Sequence, residues 1–105
     1  MLLEDVLQVS IAEALVARQD NDDRYWGERY GLKLRQNPGA VFCCMTFRLG
    51  RLVYDIGTAR RLADGRIEME SGRSYRPGEI HGFNVVPPEK VEAEKGRVAQ
   101  LGVAA

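Results

Sequence analysis

Asn37-Pro38-Gly39-Ala40-Val41-Phe42-Cys43-Cys44-Met45-Thr46-Phe47 is the stretch whose reading decides the fold, because the pattern of the chain changes across it. Asn-Pro-Gly is a turn signal, since proline fixes φ and glycine accepts positive φ. Ala40 to Phe47 is rich in β-formers and apolar on both faces, as a central, covered strand should be. The chain before the turn reads as helix, and most of the chain after it reads as strand.

Toward the C-terminus, Leu49-Gly50 separates this strand from a second, Arg51 to Ile56. There Leu52, Tyr54 and Ile56 take one face and Arg51, Val53 and Asp55 the other, a period of two. Ala63-Asp64-Gly65 is a tight-turn signal, and Arg66 to Glu70 comes next with Ile67 and Met69 inward. After Ser71-Gly72 and Arg76-Pro77-Gly78, Ile80 to Val86 forms a last strand, closed by Pro87-Pro88, which cannot continue a ladder. Pro88 suits the first turn of a tail helix from 88 to 100. Its apolar stripe of Val91, Val98 and Leu101 is thin and interrupted by Gly96, so it reads as a weak element.

Toward the N-terminus, Leu3, Val6/Leu7, Ile11 and Ala14/Leu15 recur at three- and four-residue spacing. They predict an amphipathic helix from residue 2 to about 19, with Glu4, Asp5, Gln8, Glu13 and Arg18 turned outward. Gln19-Asp20-Asn21 predicts a break, with Asp20 as N-cap of a second helix that carries Tyr25, Trp26, Arg29 and Tyr30. Gly31 would end that helix as C′. Gly27 inside it costs about 1 kcal/mol against Ala. The expectation is one α+β domain over residues 1–105: two N-terminal helices, an antiparallel sheet of about four strands and a weak C-terminal helix.

A chain of 105 residues with 45% hydrophobic and 29% charged residues can bury a single core without metal or disulfide. Fifteen basic and fifteen acidic residues cancel, which removes the strongly basic class of polyanion binders. The distribution is uneven. Met1 to Leu32 has three Arg against seven acids, whereas Lys33 to Val86 has nine basic residues against five acids. The two cysteines, Cys43 and Cys44, are adjacent and point to opposite faces of a strand, so no disulfide framework exists. That favours a reducing compartment. Glu4 and Asp5 stand where a signal peptide would continue its apolar stretch, and the charge-free run from Pro38 to Phe47 is too short to span a bilayer. The expectation is a cytoplasmic protein that does not enter membranes.

Candidate chemistry is sparse. His81, with Glu79 two residues before it, would need Cys43 or Cys44 beside it to make a nucleophilic pair or a partial metal site. Solvated His81 and a cysteine serving as a small core residue explain the same residues. Glu68 and Glu70 share a strand face but alternate with apolar residues, as solvated side chains do. Gly50 and Gly57 occur in no phosphate-loop frame. No catalytic residue, metal ligand or cofactor is therefore expected.

Two surfaces remain. Arg24, Tyr25, Arg29 and Tyr30 are residue types enriched at protein-interface hot spots and make the leading candidate for partner binding. The leading expectation is thus a non-enzymatic interaction or regulatory module, with a homodimer among its forms and a sheet edge as a further contact. The alternative is a small nucleic-acid binder using Arg48, Arg51, Arg60, Arg61, Arg66, Arg73 and Arg76 with Tyr54 and Tyr75 nearby, diluted by Asp55, Asp64, Glu68, Glu70 and Glu79. A Cys/His-dependent enzyme comes third.

Overall fold

The computed structural model describes residues 3–101, with side chains from residue 11 onward. The expected helix start at Leu2, and the side chains of the apolar stripe before Ile11, lie outside what is described. The order is α1 (Leu3–Gln36), β1 (Val41–Arg48), β2 (Arg51–Arg61), β3 (Ile67–Met69), β4 (Ser74–Tyr75), β5 (Ile80–Val86) and α2 (Val91–Gln100). Short 3-10 turns at Pro77–Glu79 and Pro88–Lys90 precede β5 and α2.

The two expected N-terminal helices are one. α1 runs unbroken for 34 residues, about 51 Å at 1.5 Å per residue. Gln19-Asp20-Asn21 contains neither Pro nor Gly, and Asp or Asn costs only about 0.7 kcal/mol inside a helix, so a cap signal there does not oblige the backbone to leave it. Gly31 does not end the helix either. The stop comes at Asn37, whose amide and side chain both donate to the Lys33 carbonyl (3.1 and 2.9 Å), and at Gly39 with φ 72°.

The sheet has five antiparallel strands in the order β4-β3-β2-β1-β5. The strand not foreseen is the two-residue β4, too short to show a period. β2 also extends five residues beyond Ile56, through Gly57 to Arg61, where Ala59–Arg61 pairs with β3. β2 is the middle strand, and β1, expected to be central, lies next to the edge strand β5 but is paired on both sides, with Val41 opposite both Thr58 and Val86. Its hairpin with β2 turns on Leu49 and Gly50, both at positive φ (51° and 75°).

One face of the sheet carries the core: Tyr30 from α1, Phe42 and Cys44 from β1, Ile67, Met69 and Tyr75 from the β3–β4 hairpin, and Ile80 and Phe83 from β5. Phe42 and Phe83 stack at 4.5 Å across the β1–β5 ladder, and Tyr30 tilts onto Phe83 at 5.1 Å. α2 docks on β2, burying Val98 and laying Arg97 over the Tyr54 ring at 5.5 Å.

Asp55 points into the core side of β2, where its Oδ2 accepts hydrogen bonds from the Tyr75 hydroxyl (2.8 Å) and the Ser71 hydroxyl (2.7 Å). The carboxylate ties β2 to the β3–β4 hairpin. Asp55→Ala orphans the buried Tyr75 hydroxyl and is expected to cost about 1–3 kcal/mol, read as a lower urea midpoint at unchanged slope.

Burial pushes the Cys44 thiol up to about 12 and raises the Tyr30 and Tyr75 phenols above their ordinary value. A raised pKa in the folded state means the unfolded chain gives up the proton first. The stability this confers is whole below pH 9, the ordinary thiol value, and is lost as pH climbs through the folded value near 12. The melting temperature should fall steadily between those limits, and less steeply in Cys44→Ala. An equal slope in both proteins would remove the thiol from the account.

Candidate interaction surface

α1 is held to the body by its C-terminal part. Gly27, Tyr30 and Gly31 are buried and Leu34 half-buried, the i, i+3, i+4, i+7 spacing of one helix face. Lys33 Nζ donates to the Phe83 carbonyl at 2.7 Å, and Asp23 Oδ1 accepts the Gly78 amide at 2.9 Å. From residue 22 back to residue 11 every side chain is exposed. The helix therefore projects as an arm, and the molecule measures 61 × 30 × 18 Å. Ile11 (59% exposed), Leu15 (61%) and Val16 (57%) lie on that arm without cover.

At its base stands an aromatic group. Arg29 lies 4.3 Å above the Tyr25 ring, Tyr25 meets Trp26 edge-on at 5.0 Å, and Trp26 stacks on Tyr30 at 5.7 Å. Of the four residues picked from the sequence, Arg24, Tyr25 and Arg29 face solvent, whereas Tyr30 is 5% exposed. Its hydroxyl donates to the Ile80 carbonyl at 3.4 Å inside the core. Trp26, 40% exposed, takes its place as the intermediate between surface and core. The spacing carries the reason: Tyr25 and Arg29 are four residues apart and share a face, whereas Tyr30 falls on the buried face with Gly27 and Gly31.

The arginines of the β region do not share one face. Arg48 and Arg51 form the last pair of the β1–β2 hairpin, near exposed Phe47, Leu49 and Leu52. Arg60 pairs with Glu68 at 2.8 Å, while Arg61, its neighbour in sequence, projects from the opposite side of β2. Arg73 lies in the β3–β4 connection. Arg61, Arg66 and Arg76 meet Arg24 of α1 around one open cleft, a grouping that no spacing in the sequence announces.

Cys44 faces the core, and burial also raises the Cys43 thiol against the opposing pull of Arg97. His81 is exposed where the β1–β5 register shifts, with its ring edge-on to Phe47 at 4.5 Å. Among the described residues, no group of three His, Cys, Asp or Glu could hold a metal ion, and no helix is long and apolar enough to cross a membrane. The chain matches no protein-family model, no curated protein and no solved structure.

Raised thiol values imply slow alkylation. At pH 7.5 Cys43 should react with a thiol reagent more slowly than free cysteine, and Cys44 only when the protein is unfolded. Burst labelling of either residue would restore the nucleophile reading.

Proposed function

We propose that this chain is a small protein-interaction module whose docking element is the projecting part of α1, with Arg24, Tyr25 and Arg29 at its base. The observation that carries this reading is the run of uncovered side chains from residue 11 to 22, with Ile11, Leu15 and Val16 more than half exposed. A helix standing in water without tertiary packing is only marginally stable. Burying one stripe in a partner's groove, or against a partner helix, supplies the missing contact. Tyr25, Trp26 and Arg29 then extend the contact with residue types that dominate binding energies. A second copy of the chain is one partner that meets these requirements.

Nucleic-acid binding through the arginines has less support. Arg48 and Arg51 stand at the hairpin end, Arg60 is engaged by Glu68, and Arg76 bonds Asp23, so the seven do not make one basic face.

The test uses the whole chain, immobilised and exposed to nuclease-treated extract of its source cells. A protein captured stoichiometrically by the native chain should be lost at least tenfold with Ile11→Asp/Leu15→Asp, while the melting temperature stays unchanged. Tyr25→Ala/Arg29→Ala should weaken capture to a smaller degree. Equal capture by the arm variant, or capture that nuclease abolishes, would overturn the reading.

A further inference from the structure

We propose that the cleft between α1 and the β2–β3 turn is a binding site for a phosphoryl-type anion, with the Arg61 guanidinium as its central ligand. The cleft has a volume of about 340 Å³, within the range of small-ligand sites. It is lined by Arg24 from α1, Arg61 from the end of β2, Arg66 before β3 and Arg76 before the Pro77–Glu79 turn, together with Asp23 and Asp64.

Both carboxylates are already engaged inside the protein. Asp23 accepts the Gly78 amide through Oδ1 at 2.9 Å and Arg76 Nη1 through Oδ2 at 3.4 Å. Asp64 Oδ1 accepts the Arg66 amide at 3.0 Å and so holds its own turn. Arg76 is thus the one arginine of the four with an ion-pair partner; among the described residues Arg24, Arg61 and Arg66 have none. Three free guanidinium groups, contributed by α1, β2 and the β2–β3 turn, line one concave surface.

Arg61 lies along the glycine face of α1. A Cβ on Gly27 would lie 3.0 Å from Arg61 Nη2, and a Cβ on Gly31 would lie 3.4 Å from Arg61 Nη1. Pro77 crowds Gly27 as well, at 3.3 Å. Each glycine costs about 1 kcal/mol of helix preference relative to alanine. At Gly27 the bare helix face takes both Pro77 and the end of Arg61, whereas at Gly31 a Cβ would make only ordinary contact, so the glycines let Arg61 lie close along α1 without fixing it there.

The chemistry fits a multiply charged oxyanion. Guanidinium forks donate paired N–H bonds to phosphate or carboxylate oxygens. Four arginines against two carboxylates leave the lining with a net charge of +2, which is matched better by a phosphoryl dianion than by a single carboxylate. Such a group has two natural sources, a small phosphorylated molecule and the terminal phosphate of a nucleic-acid strand. This site shares only Arg24 with the α1 docking surface, and since Arg61 and Arg66 lie outside that surface its failure would leave the docking proposal standing.

The experiment is calorimetric titration of the full-length chain with sodium pyrophosphate at low ionic strength, alongside single-stranded oligonucleotides with and without a 5′-phosphate. Saturable 1:1 pyrophosphate binding is expected. Arg61→Gln and Arg66→Gln should each weaken it at least tenfold, with Arg61→Lys in between. Arg60→Gln, one residue away on the opposite face, should leave it unchanged. Melting curves without ligand establish that each variant is folded. Competition by the 5′-phosphorylated strand alone would identify a strand end as the source, and competition by neither strand a small molecule. Absence of saturable binding, equal weakening by Arg60→Gln and Arg61→Gln, or equal competition by both strands would overturn the proposal, since diffuse surface charge gives those results.

Discussion

The contact of Tyr30 with Phe83 joins the helical part of this protein to its sheet. Phe83 is in turn stacked on Phe42, so one aromatic column runs from α1 through the edge strand β5 to its neighbour β1. The column sets the rotation of α1 about its own axis. With Tyr30 inward, Gly27 and Gly31 must also face the body, and Tyr25 and Arg29 must face away. The same rotation brings Asp23 to the Gly78 amide and Arg24 to the cleft. The arm, its aromatic base and the arginine cleft are thus consequences of one packing contact.

The longer strands are readable in the sequence for different reasons: β1 as an unbroken apolar run after a turn, the start of β2 by its period of two, and β5 by its closure at Pro87-Pro88. Thr58-Ala59-Arg60-Arg61 carries no such signal, since its pairing with β3 depends on a partner far along the chain, and β4 is shorter than any period. The N-terminal helix defeats a local reading for a different reason. Asp20 has the chemistry of a cap, but capping chemistry is permissive, and the acids at 22 and 23 are exposed or bonded to the Pro77–Glu79 turn instead.

The surface is legible only in part. Residue type alone picks Arg24, Tyr25 and Arg29, which are exposed, but it puts Tyr30 on the wrong side when glycines are treated as interruptions. Counting Gly27 and Gly31 as members of a buried stripe with Tyr30 and Leu34 fixes the phase. The apolar stripe of the arm is visible in its spacing, but that nothing among the described residues covers it is a tertiary fact. The cleft is beyond reach, because Arg24, Arg61, Arg66 and Arg76 are joined by no regular spacing.

The placement of β1 between β2 and β5 also governs the order in which this chain can fold. Its ladder to β2 closes through a two-residue turn, but its other edge waits for β5, with Val41 paired to Val86. Pairings distant in sequence are slow to form, because the intervening chain must be ordered before they repay its entropy. During synthesis α1, β1 and β2 all leave the ribosome before the strand that carries Phe83. Until then Tyr30 and Phe42 lack the ring that links them, and the open edge of β1 is exposed to other chains. The most apolar strand of the protein is therefore the last to be enclosed, and its exposure during folding is set by the time needed to make the next forty or so residues.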